Sequence, residues 1–397
     1  MKIIPVPRAT RTLVGLHLVA ALVITIQQTL GRAQSNNFTI FRESFWHLVR
    51  DQDVYAAYPG LTFDLFKYSP TCALLFAPFA VLPKDVGLLL WNLINAAALC
   101  WALVRLLPGT AAAWALGICL FEAIGAIQNT QSNGLVAGLM IIGATTSWQE
   151  RSAWSSLSVI SGAAIKLFPL SVGVFGLMPP SRWRFVACSV VVAALLLAAP
   201  LLVTSLEQLL AQYQSWSAVE ARDLEKTGMW WIGGVLELWS GRALPHIPFQ
   251  LAGAAWLCAS AWYARHQWST SMVQQLLIAS ALGFAIVFNH MAEPPTFVIG
   301  FAGVGIWWAA LPRTSWRDAI VIAVVVLGSL GGSDLVPNDI QRAWHYDTRL
   351  KALVMIAAWC GMQYDLWRLV RLQPSPEPAS PSDVESLFSP SLTTRST

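Results

Sequence analysis

At 397 residues, with 56% hydrophobic side chains, only 12% charged ones and 20 tryptophans, the chain carries too little charge to coat a soluble globule of its size. Its net charge of +4 is ordinary and gives no reason to expect a nucleic-acid partner. Hydrocarbon leaves backbone groups no water to bond, so the long apolar runs, which lack a period of two, predict an all-α polytopic membrane protein.

The first apolar run, residues 12–30, follows Lys2, Arg8 and Arg11. It is long for a signal sequence and no small-x-small cleavage site ends it cleanly, so it is expected to be a retained helix. Further runs of span length fall at 86–106, 112–128, 134–148, 152–165, 167–180, 183–203, 248–264, 272–288, 295–311, 317–332 and 347–367. Twelve spans put both termini on one side. Arg105, Arg151, Arg182, Arg184, Arg265, Arg313 and Arg317 all fall in connections on that side, which the positive-inside rule makes cytoplasmic. The pair 152–165 and 167–180 is short in each half, and "IKLFP" (Ile165 to Pro169) reads as its break. Residues 1–372 are expected to form one membrane domain, and the Pro/Ser-rich stretch 373–397 a disordered cytoplasmic tail.

Three segments between spans have their own character. "NNFTIFRESFWHLVRD" (Asn36 to Asp51) sets Phe38, Phe41, Phe45, Leu48 and Val49 at helical spacing, with Asn36 or Asn37 as cap, and predicts an amphipathic helix on the membrane surface. Pro70 to Leu82 is too short for a ~30 Å core at about 1.5 Å per residue and is broken by prolines, which predicts a re-entrant or interfacial helix. The loop Ser205 to Ile247 carries a tryptophan-rich interfacial stretch, Trp230 to Trp239. Six scattered cysteines show neither CxxC nor Cys/His spacing and read as packing residues.

The unusual polar groups gather on the predicted outer side: Asn36 and Asn37, "FDLFKYSP" (Phe63 to Pro70), "QNTQSN" (Gln128 to Asn133), Lys166, and "NHMAEPP" (Asn289 to Pro295). Each has a bland reading. "QNTQSN" suits a tight helical hairpin as well as a sugar-binding surface. Lys166 suits snorkelling to the interface. His290 and Glu293 suit a helix cap ahead of Pro294 and Pro295. Together they suggest one extracytoplasmic site. No P-loop, GxGxxG, HExxH or cytoplasmic DxD-like carboxylate pair is present, which disfavours an energy-coupled pump or a nucleotide-sugar enzyme working in the cytoplasm; no cofactor and no metal ligand is assigned.

"DVYAAYPGLTFDLFKYSPTCALLFAPFAVLPKDVGLLLWNLINAAAL" (Asp53 to Leu99) resembles the first-loop signature of glycosyltransferase family 87. "GAIQNTQSNGLVAGLM" (Gly125 to Met140) and "GAAIKLFPL" (Gly162 to Leu170) resemble that family's "GQ-x-N-x-L" and "A-x-x-x-K-x-x-P" segments. The resemblance implies a GT-C-like bundle with amphipathic and re-entrant helices in the first outer loop. It also implies transfer of a mannose-like hexose or pentose from a polyprenyl-phosphate-linked donor to a lipid or glycan acceptor, at the outer face of the plasma membrane and among its lipids, usually with inversion. The family commonly has "D-F" at the outer end of the first helix, where this chain has Asn37-Phe38. An amide cannot take a proton, which leaves Asp64, then Glu293, then Asp53 as candidate catalytic carboxylates. Lys67 and Lys166 are the candidates for donor phosphate. Gln128, Asn129, Gln131 and Asn133 are those for sugar hydroxyls, with Asn37, Tyr68 and His290 completing the substrate-binding set. Rival readings are a lipid or solute transporter, whose polar residues would reach both faces, and a non-catalytic subunit of a cell-envelope glycan assembly.

Overall fold

The computed structural model describes residues 6–223, 225, 229–332 and 336–372; the tail expected at 373–397 lies outside them. Among the described residues there is no strand. A long first helix, α1 (Arg8–Thr29), is followed by α2 (Asn36–Val49) and two short helices, α3 (Pro70–Leu75) and α4 (Ala77–Ala80). Then come α5 (Lys84–Leu106), α6 (Ala111–Gln128), α7 (Asn133–Trp148) and α8 (Ser152–Ile165). A 3₁₀ segment, Phe168–Leu177, leads to α9 (Arg182–Ala198), α10 (Leu206–Asp223), α11 (Ile232–Ser240), α12 (His246–Tyr263) and α13 (Ser271–Val287). A 3₁₀ turn, Pro294–Phe297, opens α14 (Val298–Ala310), and α15 (Ser315–Ala323), α16 (Asn338–Gln341) and α17 (Leu350–Leu372) complete the bundle.

A helix coincides with every apolar run read from the sequence. Among the described residues four are long and apolar enough to cross a membrane: Arg8–Thr29, Lys84–Leu106, Ala111–Gln128 and Arg182–Leu202. The others are shorter, and "IKLFP" is indeed a break, because Lys166 adopts an extended conformation between α8 and the 3₁₀ segment. The centre of the bundle is α13 against α14, with Leu276, Leu282, Ile299 and Phe301 fully buried. Lipid chains are as apolar as leucine, so helices here associate through small residues and hydrogen bonds. A Cβ on Gly134 would lie 2.7 Å from the Asn95 carbonyl oxygen, and one on Gly138 2.8 Å from that of Ala98. The spacing Gly134-x-x-x-Gly138 therefore seats α7 directly on the backbone of α5. Asn92 ties α5 to α1 by donating to Thr25 Oγ1 (2.9 Å) and Gln28 Oε1 (3.0 Å). Gln363 of α17 accepts from Trp256 and donates to Ser280 Oγ, joining α12, α13 and α17.

Three expectations for the first loop change. Ser35, not Asn36 or Asn37, holds the N-cap position of α2, without a side-chain capping bond; the Asn37 amide donates to the Asn129 carbonyl at 2.7 Å and that of Asn36 to Gln34 Oε1 at 3.1 Å. The apolar face of α2 does not lie on a lipid surface. Phe38 and Phe41 are buried against Phe66, Phe76 and Trp91, with Phe41 and Phe76 stacked at 5.2 Å; Leu48 is buried as well, while Val49 is exposed. The reason is that α3 and α4 fold back beneath α2 and give those rings a protein partner. The run expected as one re-entrant helix is two, separated at Phe76 ahead of Pro78; Ser69 caps the first by accepting from the Cys72 N–H. The loop Ser205 to Ile247 is mostly helical, and Trp231 within it is buried while Trp239 is exposed. Of the cysteines, Cys72, Cys100 and Cys119 are buried packing residues, and Cys258 and Cys360 lie on the outside of their helices.

Hydrogen bonds between helix ends sort the bundle into two ends. One brings Thr10 to the Gly109 carbonyl, Gln275 to that of Leu106, Gln267 to that of Val370, and Arg317 to Asp365. The other brings Gln28 to the Gln128 carbonyl, Trp230 N–H to the Ala292 carbonyl, and Lys166 to Asn133. The polar motifs thus share one end, opposite the end where Arg317 meets Asp365; Arg349, over the Trp230 ring at 4.7 Å, lies at the polar end.

Candidate active site

Four stretches converge at the polar end: the loop Asp64 to Ser69, the start of α7, the break at Lys166, and the loop Asn289 to Glu293. Lys67 is half-buried and donates to Asp64 Oδ2 at 2.6 Å, while Asp64 itself is exposed. Burial disfavours the Lys67 ammonium, but the hydrogen bond and charge of Asp64, with Asp223 and Glu293 beyond, outweigh it and hold its pKa above the ordinary lysine value. Tyr68 donates from its hydroxyl to Gln131 Oε1 at 3.4 Å, and its carbonyl accepts from Tyr55 OH at 2.6 Å. Burial, then Cys72, Glu293 and Asp64, raise the Tyr68 phenol, so it stays protonated.

Lys166 lies in the connection after α8. It donates to Asn133 Oδ1 at 2.7 Å and stands 5.9 Å from the centre of the Tyr68 ring. Burial lowers its pKa to about 8, with Glu293 and Cys72 opposing. Asn133, fully buried, donates from Nδ2 to the Pro295 carbonyl at 2.9 Å.

Glu293 precedes the 3₁₀ turn at Pro294, but its side chain makes no capping hydrogen bond. Its carboxylate is partly exposed and within electrostatic reach of Lys67, Tyr68 and Lys166. Among the carboxylates singled out from the sequence, it alone faces both lysines in this way.

The other candidates sit elsewhere or serve the scaffold. Asp53 accepts from the Tyr55 N–H (3.0 Å) and from Ser215 Oγ (3.3 Å), pinning its loop to α10. Gln128 and Asn129 are exposed; their carbonyls accept from Gln28 and Asn37, and the Asn129 side chain bonds back to the Gly125 carbonyl. Between them and Gln131, Thr130 is a buried hub whose Oγ1 accepts from the Phe38 N–H and whose carbonyl accepts from the Trp91 indole, in a left-handed conformation (φ 49°) unusual for a β-branched residue. His290, in the loop after α13, packs against α12 instead, with Nδ1 2.8 Å from Gln250 Nε2 and its ring stacked on His246 at 4.9 Å.

Sequence reasoning missed α10. Its buried Asp223 reaches the field of Lys67, and Glu220, raised by burial and by Asp223, is held by the Trp216 indole at 3.2 Å. The signal was the stripe Leu209, Gln212, Trp216, Val219, Asp223 at spacings of three and four. Among the described residues no group of three or more His, Cys, Asp or Glu side chains is placed to hold a metal ion.

No curated protein matches the chain closely enough to be compared with it. The family model for glycosyltransferase family 87 matches residues 66–333, more than half of the chain, taking in Lys67, Asn133, Lys166 and Glu293 and beginning just past Asp64. The chain belongs to glycosyltransferase family 87 and is a membrane glycosyltransferase.

Proposed function

We propose that the protein moves a mannose-like hexose or pentose from a polyprenyl-phosphate-linked donor to a lipid or glycan acceptor, at the extracytoplasmic face of the plasma membrane. In this reading the chain crosses twelve times with both termini in the cytoplasm, and the polar end faces outside, away from the short connections that carry Arg105, Arg151, Arg182, Arg184, Arg265, Arg313 and Arg317. The observation that carries the reading is the Glu293 carboxylate, which makes no capping hydrogen bond and lies within electrostatic reach of Lys67, Tyr68 and Lys166.

Glu293 accepts the proton of the acceptor hydroxyl as its oxygen bonds to the anomeric carbon. The bond from that carbon to the donor phosphate breaks, and the lipid phosphate departs with the electron pair. Lys67 and Lys166 offset the charge that builds on the leaving phosphate, and Tyr68 and Gln131 are placed for sugar hydroxyls. Asp64, already paired to Lys67 and exposed, suits tuning of that lysine better than proton abstraction. Glu122, the mid-helix acid that a coupled transporter would use, is locked to Lys351.

The test is transfer by purified protein from a polyprenyl-phosphate sugar. Transfer by the wild type and its loss in Glu293→Gln support the reading; a wild type that transfers from no such donor sinks it.

A further inference from the structure

We infer that Asn133 is a positioning residue: its amide ties Lys166 to the loop that carries Glu293, and so fixes the spacing between the phosphate-binding ammonium and the base. The inference rests on the roles proposed above for Lys166 and Glu293. Asn133 is fully buried, and both ends of its amide are used, Oδ1 by Lys166 at 2.7 Å and Nδ2 by the Pro295 carbonyl at 2.9 Å. A side chain so enclosed does not meet a sugar hydroxyl.

Its own position is also set. The next residue, Gly134, presses on the Asn95 carbonyl, and the Leu135 N–H donates to Asn95 Oδ1 at 3.0 Å. The amide therefore extends from the close contact of α7 with α5 and reaches both the Lys166 connection and the loop before α14. The amide meets both demands on separate atoms, since the lysine needs an acceptor and the carbonyl needs a donor. The titratable groups facing Lys166 are Glu293 from the Pro294 loop, Cys72 on α3 and Tyr68 just before it.

Lys166 is partly exposed, so its protonation can be followed by competitive acetylation with acetic anhydride across pH, read by mass spectrometry on the full-length protein in detergent. Asn133→Asp places a carboxylate oxygen against the ammonium and should raise the labelling midpoint by roughly one pH unit; Asn133→Leu removes the acceptor and should lower it by a similar amount. Displacement in opposite directions supports the inference. Unchanged midpoints, or shifts of one sign, overturn it and return Asn133 to packing. The nearly isosteric aspartate, favourable in a first helical turn, carries the test if the leucine variant does not fold. Labelling needs no turnover, so a wild type without transferase activity would defeat the proposed function and leave this result readable.

Discussion

Lys351 places its ammonium 2.9 and 2.8 Å from the two carboxylate oxygens of Glu122, joining the first turn of α17 to the interior of α6. Both are buried, and the ammonium also stands 5.0 Å from the Phe297 ring, just after the prolines of the Glu293 loop. Removing one partner strands the other charge in a low dielectric. Lys351→Met should therefore cost about 3–5 kcal/mol of stability, and Glu122→Gln combined with it should recover much of that. Thermal unfolding in detergent checks this; equal melting of the single and double variants would show that the pair is hydrated.

Glu293→Gln should lower turnover by about 10²-fold or more, the scale for losing a general base, with donor affinity little changed. Asp64→Asn should behave differently. It frees Lys67 from its 2.6 Å partner, so its effect should appear in donor KM rather than kcat. Steady-state kinetics on both variants separates them, and a larger kcat loss for Asp64→Asn would reverse the assignment.

The arginine connections give a topological prediction. With the native cysteines replaced, a cysteine at Arg182, the first residue of α9, should resist a membrane-impermeant maleimide in intact cells. A cysteine at exposed Asp64 should react. Reaction at position 182 would mean that residues 152–180 do not cross twice.

The apolar runs were legible because burial in hydrocarbon or protein demands the same unbroken hydrophobicity, and the helices fall where they were expected. What surrounded α2 was not, because the spacing of Phe38, Phe41 and Phe45 shows an apolar face but not what covers it. α10 was obscured by its own chemistry. Two members of its buried stripe are polar, Gln212 bonding to Val54 N–H and the Gln52 carbonyl and Asp223 facing Lys67, so the stripe does not read as apolar. The lysines and Glu293 were singled out by their oddity in greasy surroundings. Their grouping depended on the amide of Asn133, a contact across 33 residues to Lys166 and 162 to Pro295 that no local pattern encodes.

The two lysines should respond oppositely to alkaline pH. Lys67 sits above the ordinary lysine value and stays charged, whereas burial brings Lys166 to about 8. Donor affinity should then fall as pH rises through about 8, where Lys166 loses its proton, and Lys166→Met should bind donor more weakly but without that pH dependence. Stability should move the other way. The folded pKa of Lys166 lies below the unfolded one, so between about 8 and the ordinary lysine value the unfolded chain holds more protons, and raising the pH favours the folded state. Donor binding by fluorescence quenching and melting temperature, each followed from pH 7 to about 10, read the two trends on one sample. A donor affinity that stays level through this window in the wild type would remove Lys166 from the phosphate site and leave Lys67 as its cation.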